Sequence, residues 1–287
     1  MCARRHRSRR QVARRLARRR RGDGAGQRPC WGTLDDFHSV PTVQLAQAPG
    51  ERLVSWIRRR PRTTVRFEPL RASSGQASAA GWSAPGDARS TLLKPDVVAL
   101  GEGVLGAIPD SWALFSGTSA ASARVSGLAA LLRADHDWSA PIVRSVLTTT
   151  ATPLAGASTL LQGAGRVAAS HQRPGLGLDV ALPDYRRALE ALSWRDLNVP
   201  SVMMRGAGTT TRRVTNLGRG ATYFSARVRG FARHRVQVTP VALMLDPGES
   251  ARVRITVTGG PGRFDDGWVV WRGARGTSTR IPVAITR

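Results

Sequence analysis

One stretch limits what this chain can fold into more than any other: Phe115-Ser116-Gly117-Thr118-Ser119, running without a break into Ala120-Ala121-Ser122-Ala123-Arg124-Val125-Ser126-Gly127-Leu128-Ala129-Ala130-Leu131-Leu132. A turn of small residues opens onto a segment of Ala, Leu, Val and Ser. Ala and Leu favour helix, and apolar residues at this density predict a buried helix rather than a surface one. Ser119 is then expected at the N-terminal edge of that helix, with Gly117 allowing another backbone to come close. Free N–H groups of a first helical turn, together with the positive end of the helix dipole, favour an anion forming beside such a serine. That is one half of an oxyanion hole. A Gly-Thr-Ser triplet alone is far more commonly a cap on a core helix, so the chemistry has to be argued from more of the chain.

More of the chain is available. Leu93-Lys94-Pro95-Asp96-Val97-Val98-Ala99-Leu100-Gly101 lies upstream, and His136-Asp137-Trp138-Ser139 with Val143-Arg144-Ser145-Val146-Leu147-Thr148-Thr149-Thr150-Ala151-Thr152 follows. With the serine segment, these three collinear motifs closely resemble the subtilisin-like serine proteases, the subtilases. The branch is the one with a protease-associated insert and a C-terminal fibronectin type III-like domain. Gly163-Ala164-Gly165-Arg166-Val167 matches the motif that closes the protease domain in that family. Leu197–Ser201, Arg213–Gly218 and Val238–Pro240 resemble the fibronectin type III-like domain.

The resemblance implies a fold: a partial α/β unit with a subtilisin-like parallel sheet and helices, then an all-β sandwich, behind a disordered basic N-terminus. Residues 1–30 are expected as an Arg-rich disordered or non-native segment and 31–70 as the end of the protease-associated region. Residues 71–175 follow as the C-terminal part of the catalytic domain, 176–195 as a linker and 196–287 as the sandwich. The β assignment also stands on the residues themselves. Short alternating segments at Thr209–Val214, Tyr223–Val228, Val236–Thr239, Ala251–Thr258, Trp268–Trp271 and Arg280–Ile285 are separated by Gly and Pro turns. Nearer the N-terminus, Val40–Leu45 and Thr63–Phe67 read as strands and Ala48-Pro49-Gly50 as a turn. Leu53, Trp56 and Ile57 share one face of a helix from Glu51 to Arg58. Leu93–Gly101 reads as a buried strand, while Ser139 and Pro141 cap and open a helix over Ile142–Thr149.

Composition narrows the function classes. The net charge is +25 over 287 residues, and eleven arginines without a single acid fall in residues 1–22. Such an arm cannot bury a core, and it invites salt-dependent phosphate binding. Nothing downstream belongs to a nucleic-acid fold, which argues against nucleic acid as the partner. No apolar run reaches membrane-helix length, and no apolar core follows the basic start as a signal peptide would need. Cys2 and Cys30 have no partners at ligand spacing and support neither a zinc site nor a disulfide framework; no metal and no cofactor are expected. By resemblance the protein would be extracellular and its substrate a protein or peptide.

Proteolysis needs more than a serine. A His must take its proton, an Asp must orient that His, and a second oxyanion donor is required. In subtilases these occur along the chain in the order Asp, His, Asn, Ser. Upstream of Ser119 stand only His6 and His38, neither in a His-Gly-Thr-His setting, and Asp35 and Asp36 lack a strand-end Asp-x-Gly pattern. The only asparagines are Asn198 and Asn216, both in the β region. Leu100 and Ala123-Arg124 also depart from the family's Pro and Pro-His. The expectation is therefore a serine endopeptidase by family. It is an incomplete chain that carries the nucleophile Ser119 and its turn, Gly117 and Thr118, but is inactive alone. A non-catalytic binding or structural protein built on the same parts is the alternative. His136, by its place in the motif, reads as a loop residue rather than a base.

Overall fold

The computed structural model describes residues 45, 47–60, 62, 64, 77–167, 174–259, 262 and 264–287. Expectations for residues 1–44 and for a strand over 63–67 rest almost entirely on residues outside these. Helix α1, Gln47–Arg58, takes in the Ala48-Pro49-Gly50 turn signal as its own first turn. Proline is tolerated there because its missing N–H would have no helical partner anyway.

The next elements are a β hairpin, β1 (Val104–Ile108) with β2 (Ser111–Phe115), and helix α2, Thr118–Asp135. Helix α3, Ala140–Thr149, is capped as the sequence predicts: Ser139 Oγ accepts from Ile142 N, and Pro141 lies in the first turn. A short helix α4, Thr159–Gln162, leads into the Gly-Ala-Gly turn. Gly163 and Gly165 both have positive φ, and a Cβ on either would lie within 2.3 Å of a backbone oxygen, that of Pro95 or Thr152. Only glycine lets this turn thread so closely over the 95–98 segment. Ala164 N donates to Asp96 O, Val98 N to Gly165 O and Val167 N to Val98 O.

The 93–101 segment is a correction to the expected strand. Leu93 is buried, but the rest is extended chain holding one parallel bridge, Val98 to Arg166. A strand needs a run of consecutive pairs with a neighbour, and here the 165–167 turn supplies a single bridge. Helix α2 is a second correction: none of its residues is buried. Val125, Leu128, Ala129 and Leu132 pack towards Val143, Leu147 and Val167, whereas Leu131 is 63% exposed. The helix is apolar around most of its circumference, but α3 covers only one side of it.

Residues 176–195, expected as a linker, hold the two-residue strand β3 (Leu176–Gly177) and helix α5 (Leu182–Glu190). Val180, Ala188, Leu197 and Val199 form a small core there with Tyr185 and Trp194.

The C-terminal region is a two-sheet sandwich. One sheet has the order β4 (Val202–Arg205), β11 (Ser278–Thr286), β10 (Asp265–Arg272), β6 (Thr222–Arg229), β8 (Ala242–Leu245). The other runs β3, β5 (Gly208–Asn216), β9 (Ser250–Thr258), β7 (Arg235–Thr239). All pairings are antiparallel except β4 with β11. Phe224, Val253, Ile255, Trp271, Ile281 and Val283 centre the core. The back of the β4–β11 pair meets the helical region, where Met203 and Ala284 join Leu93 and Leu160 in one cluster. Polar bonds fix the same junction: Leu178 N donates to Ser145 Oγ at 2.9 Å, and Thr159 N donates to the Asp266 carboxylate.

Candidate functional site

The turn that carries Ser119 is fixed from two sides. Gly117 N donates to Gly101 O at 2.7 Å, and Gly103 N donates to Ser116 Oγ at 3.0 Å. Gly101 makes the approach possible, since a Cβ there would sit 2.8 Å from Gly117 O. The end of the Leu93–Gly101 motif and the Ser-Gly-Thr-Ser motif, separated by the β1–β2 hairpin in sequence, are thus brought together. Gly117 is the N-cap of α2 and supplies no side-chain oxygen, while Ala120 N and Ala121 N turn back to Gly117 O. Thr118 and Ser119 occupy the first turn, and both are exposed.

Around this serine the described residues offer no base. His136 is the C-cap of the same helix, about 25 Å from Ser119 along its axis, and its ring stacks on Trp138 at 3.8 Å. Both asparagines are occupied elsewhere. Asn198 Nδ2 donates to Asp179 O and Arg213 O, and Asn216 Nδ2 donates to Gly220 O and Leu245 O. Asp96, on the adjoining segment, accepts from Lys94 Nζ at 2.6 Å and Arg144 Nη2 at 2.8 Å. Burial pushes its carboxyl up, but Arg144 and Lys94 outweigh burial and hold it below the usual carboxylate range. This carboxylate ties α3 to the 94–98 segment and is not available to orient a histidine. His6, His38, Asp35 and Asp36 lie outside the described residues.

An Asp–His pair does exist, within the sandwich. His234 Nδ1 lies 3.2 Å from Asp265 Oδ2, and both side chains are buried. Asp265 also accepts from the backbone N–H groups of Ala232, Arg233 and His234. Burial works against the charged form, but these donors prevail and lower its pKa. The pair fastens the 231–234 loop to β10, and among the described residues no nucleophile is bonded to it. Asp265→Asn is expected to cost about 2 kcal/mol above pH 5, since amide replaces carboxylate at three N–H donors. Because the native pKa lies below the ordinary 3.8, that stabilisation is present above the unfolded value and vanishes as pH falls through the native one. Urea titrations at pH 7 and pH 3 check this: the gap between the two proteins should narrow at pH 3. A gap that does not change with pH would rule the charge out as its source.

Sequence reasoning missed two features of the sandwich. Arg212 is buried inside it, and Arg213, Arg235, Arg252 and Arg254 all stand on one outer face. The period-two alternation of Thr-Thr-Thr-Arg-Arg-Val-Thr and Ala-Arg-Val-Arg-Ile-Thr carried the signal for both.

Comparison with known proteins bears on both halves. Residues 42–166 match the model described as "Subtilase family", and residues 196–285 match the "Fibronectin type-III domain". Among curated proteins, "Subtilisin-like protease SBT2.5" of Arabidopsis thaliana is 29% identical, the match covering 67% of this chain and 31% of the relative. "Subtilisin-like protease SBT3" of Solanum lycopersicum is 27% identical, with 85% and 41% covered. "Subtilisin-like protease SBT1.5" of Arabidopsis thaliana reaches 31% identity, with 61% and 28% covered. The chain spans roughly a third of the length of the curated relatives it matches.

Proposed function

The chain joins a subtilase-family segment to a fibronectin type III domain, and from that premise we propose that it carries the nucleophile-bearing part of a subtilisin-type serine endopeptidase. Ser119 is the nucleophile, with Gly117 and Thr118 shaping its turn. In the reaction Ser119 Oγ attacks the carbonyl carbon of a peptide bond while a histidine accepts its proton. The resulting oxyanion is met by the Ser119 N–H, a first-turn donor of α2, and by an asparagine amide. The observation that carries this reading is the hydrogen bond from Gly117 to Gly101, which joins two of the motifs on which the resemblance rests. Substrates would be proteins or peptides, met outside the cell. Among the described residues no helix is long and apolar enough to cross a membrane.

The histidine, the orienting aspartate and the asparagine are proposed to come from polypeptide other than these 287 residues. An alcohol of ordinary acidity without a base is a poor nucleophile. The chain alone is therefore expected to leave casein intact, and Ser119→Ala is expected to change nothing. Casein hydrolysis that disappears in Ser119→Ala would overturn this part of the reading. The family reading has its own test, which is to graft residues 94–166 into the equivalent stretch of the tomato relative. Retained hydrolysis supports Ser119 as the nucleophile, and a folded but inert graft overturns it. The alternative, a binding protein that reuses these parts without catalysis, is favoured by one observation: neither asparagine of the chain is free for an oxyanion. It predicts the inert graft.

A further inference from the structure

The solvent face of the β5–β9–β7 sheet carries a charge pattern that neither proteolysis nor the sandwich core uses. Burial alternates along all three strands, with Val214, Val253, Ile255, Val236 and Val238 turned into the core. The outward positions are occupied by Arg, Thr, Ser or Gln, and no carboxylate stands among them. Register places Arg213 directly opposite Arg252, Arg254 between Thr211 and Thr239, and Arg235 opposite Thr258. Like charges facing each other across an antiparallel pair are destabilising. None of the four arginines forms an ion pair among the described residues. The arrangement costs stability and brings no internal compensation, which is the signature of a surface kept for an anion.

The surroundings of the arginines narrow the anion. Strands lie about 4.8 Å apart, so the guanidinium groups span a flat surface rather than line a pocket. A guanidinium fork matches a carboxylate bidentately. Hydroxyls stand beside the forks in cross-strand pairs, Thr209 with Thr256 at 3.3 Å and Thr215 with Ser250 at 2.8 Å, and can exchange hydrogen bonds with sugar hydroxyls. No aromatic side chain stands on these three strands to stack an unpaired base. We propose that this face binds a linear acidic polysaccharide, a polyuronate carrying carboxylates along its length.

The test titrates the full chain with polygalacturonate across a range of salt concentrations. Two fourfold variants with the same change in charge are compared: Arg213, Arg235, Arg252 and Arg254→Gln on the sheet, and Arg58, Arg59, Arg60 and Arg62→Gln at the end of α1 and just beyond it. The sheet variant is expected to bind about tenfold more weakly, its log–log salt slope falling by roughly one for each arginine that no longer meets a carboxylate, with the α1 variant nearly unchanged. Equal losses in the two variants would mean that overall charge binds the polymer, and would overturn the proposal. So would absence of binding by the native chain, or an equal loss for single-stranded DNA of matched charge. Thermal unfolding of the sheet variant should be unchanged or raised, because the Arg213–Arg252 repulsion is gone. If the fourfold variant fails to fold, Arg252→Gln and Arg254→Gln singly, each weaker in binding by a smaller factor, decide the same question.

Discussion

Replacing Arg212 with Ala is expected to destabilise the sandwich by about 3–5 kcal/mol, from buried acceptors left unpaired and the cavity left behind. The side chain is 1% exposed, and its guanidinium meets no carboxylate. It is held instead by oxygens: Nε donates to Val199 O, Nη1 to Thr211 O and Thr210 Oγ1, and Nη2 to Arg195 O and Ser201 O. Burial lowers its pKa to about 10, with Asp196 opposing, so the group stays charged at neutral pH. Truncation leaves the carbonyls of residues 195, 199 and 201 without this donor and opens a cavity beside them. Arg212→Met fills most of that volume but restores no donor, so it should recover only the smaller, packing share of the loss. Urea unfolding followed by tryptophan emission, to which Trp271, fully buried in the same core, contributes, reads the change. A loss under about 1 kcal/mol would mean that water replaces the guanidinium and that its bonds are incidental.

Arg212 also shows where the sequence is legible and where it is not. Its alternating neighbours identify the strand, but an arginine at an inward position reads as a solvated one until the carbonyls of the 195–201 segment are known to converge there. The six segments expected as strands from Thr209 onward all lie within strands of the sandwich, because each alternates or is β-branched. The two four-residue strands at the edges of the five-stranded sheet escape the same reading for a physical reason. Val202-Met203-Met204 is buried on both faces, so no alternation survives, and Ala242-Leu243-Met244-Leu245 has no β-branched residue. Helix α5 has start signals in Pro183 and Asp184, hidden by the reading of the region as a linker. Around Ser119 the local turn is legible from Gly101, Gly117 and the helix formers after it. Exposure of α2 is not, because an all-round apolar composition states how much surface a helix can bury and not whether a neighbour is there to bury it.

In the tomato graft, Ser119→Ala is expected to lower kcat by roughly 10⁶, a magnitude carried over from subtilisin. That corresponds to about 8 kcal/mol of transition-state stabilisation. KM should move little, because a nucleophilic Ser119 Oγ would touch only the reacting carbonyl and leave binding of the rest of the substrate unchanged. Its neighbour Ser116 cannot substitute, since its Oγ already accepts from Gly103 N and holds the turn. The residual rate has a source: Ser119→Ala removes only the hydroxyl and leaves the backbone N–H in the first turn of α2, so the oxyanion still finds that donor. Removing the asparagine donor of the relative from the same graft should cost only about 10²–10³. The ranking of the two losses separates the roles, because a nucleophile is required for every turnover while one donor of two is not. A Ser119→Ala loss no larger than the asparagine loss would show that Ser119 assists the chemistry without performing it, and the nucleophile would have to be sought outside α2.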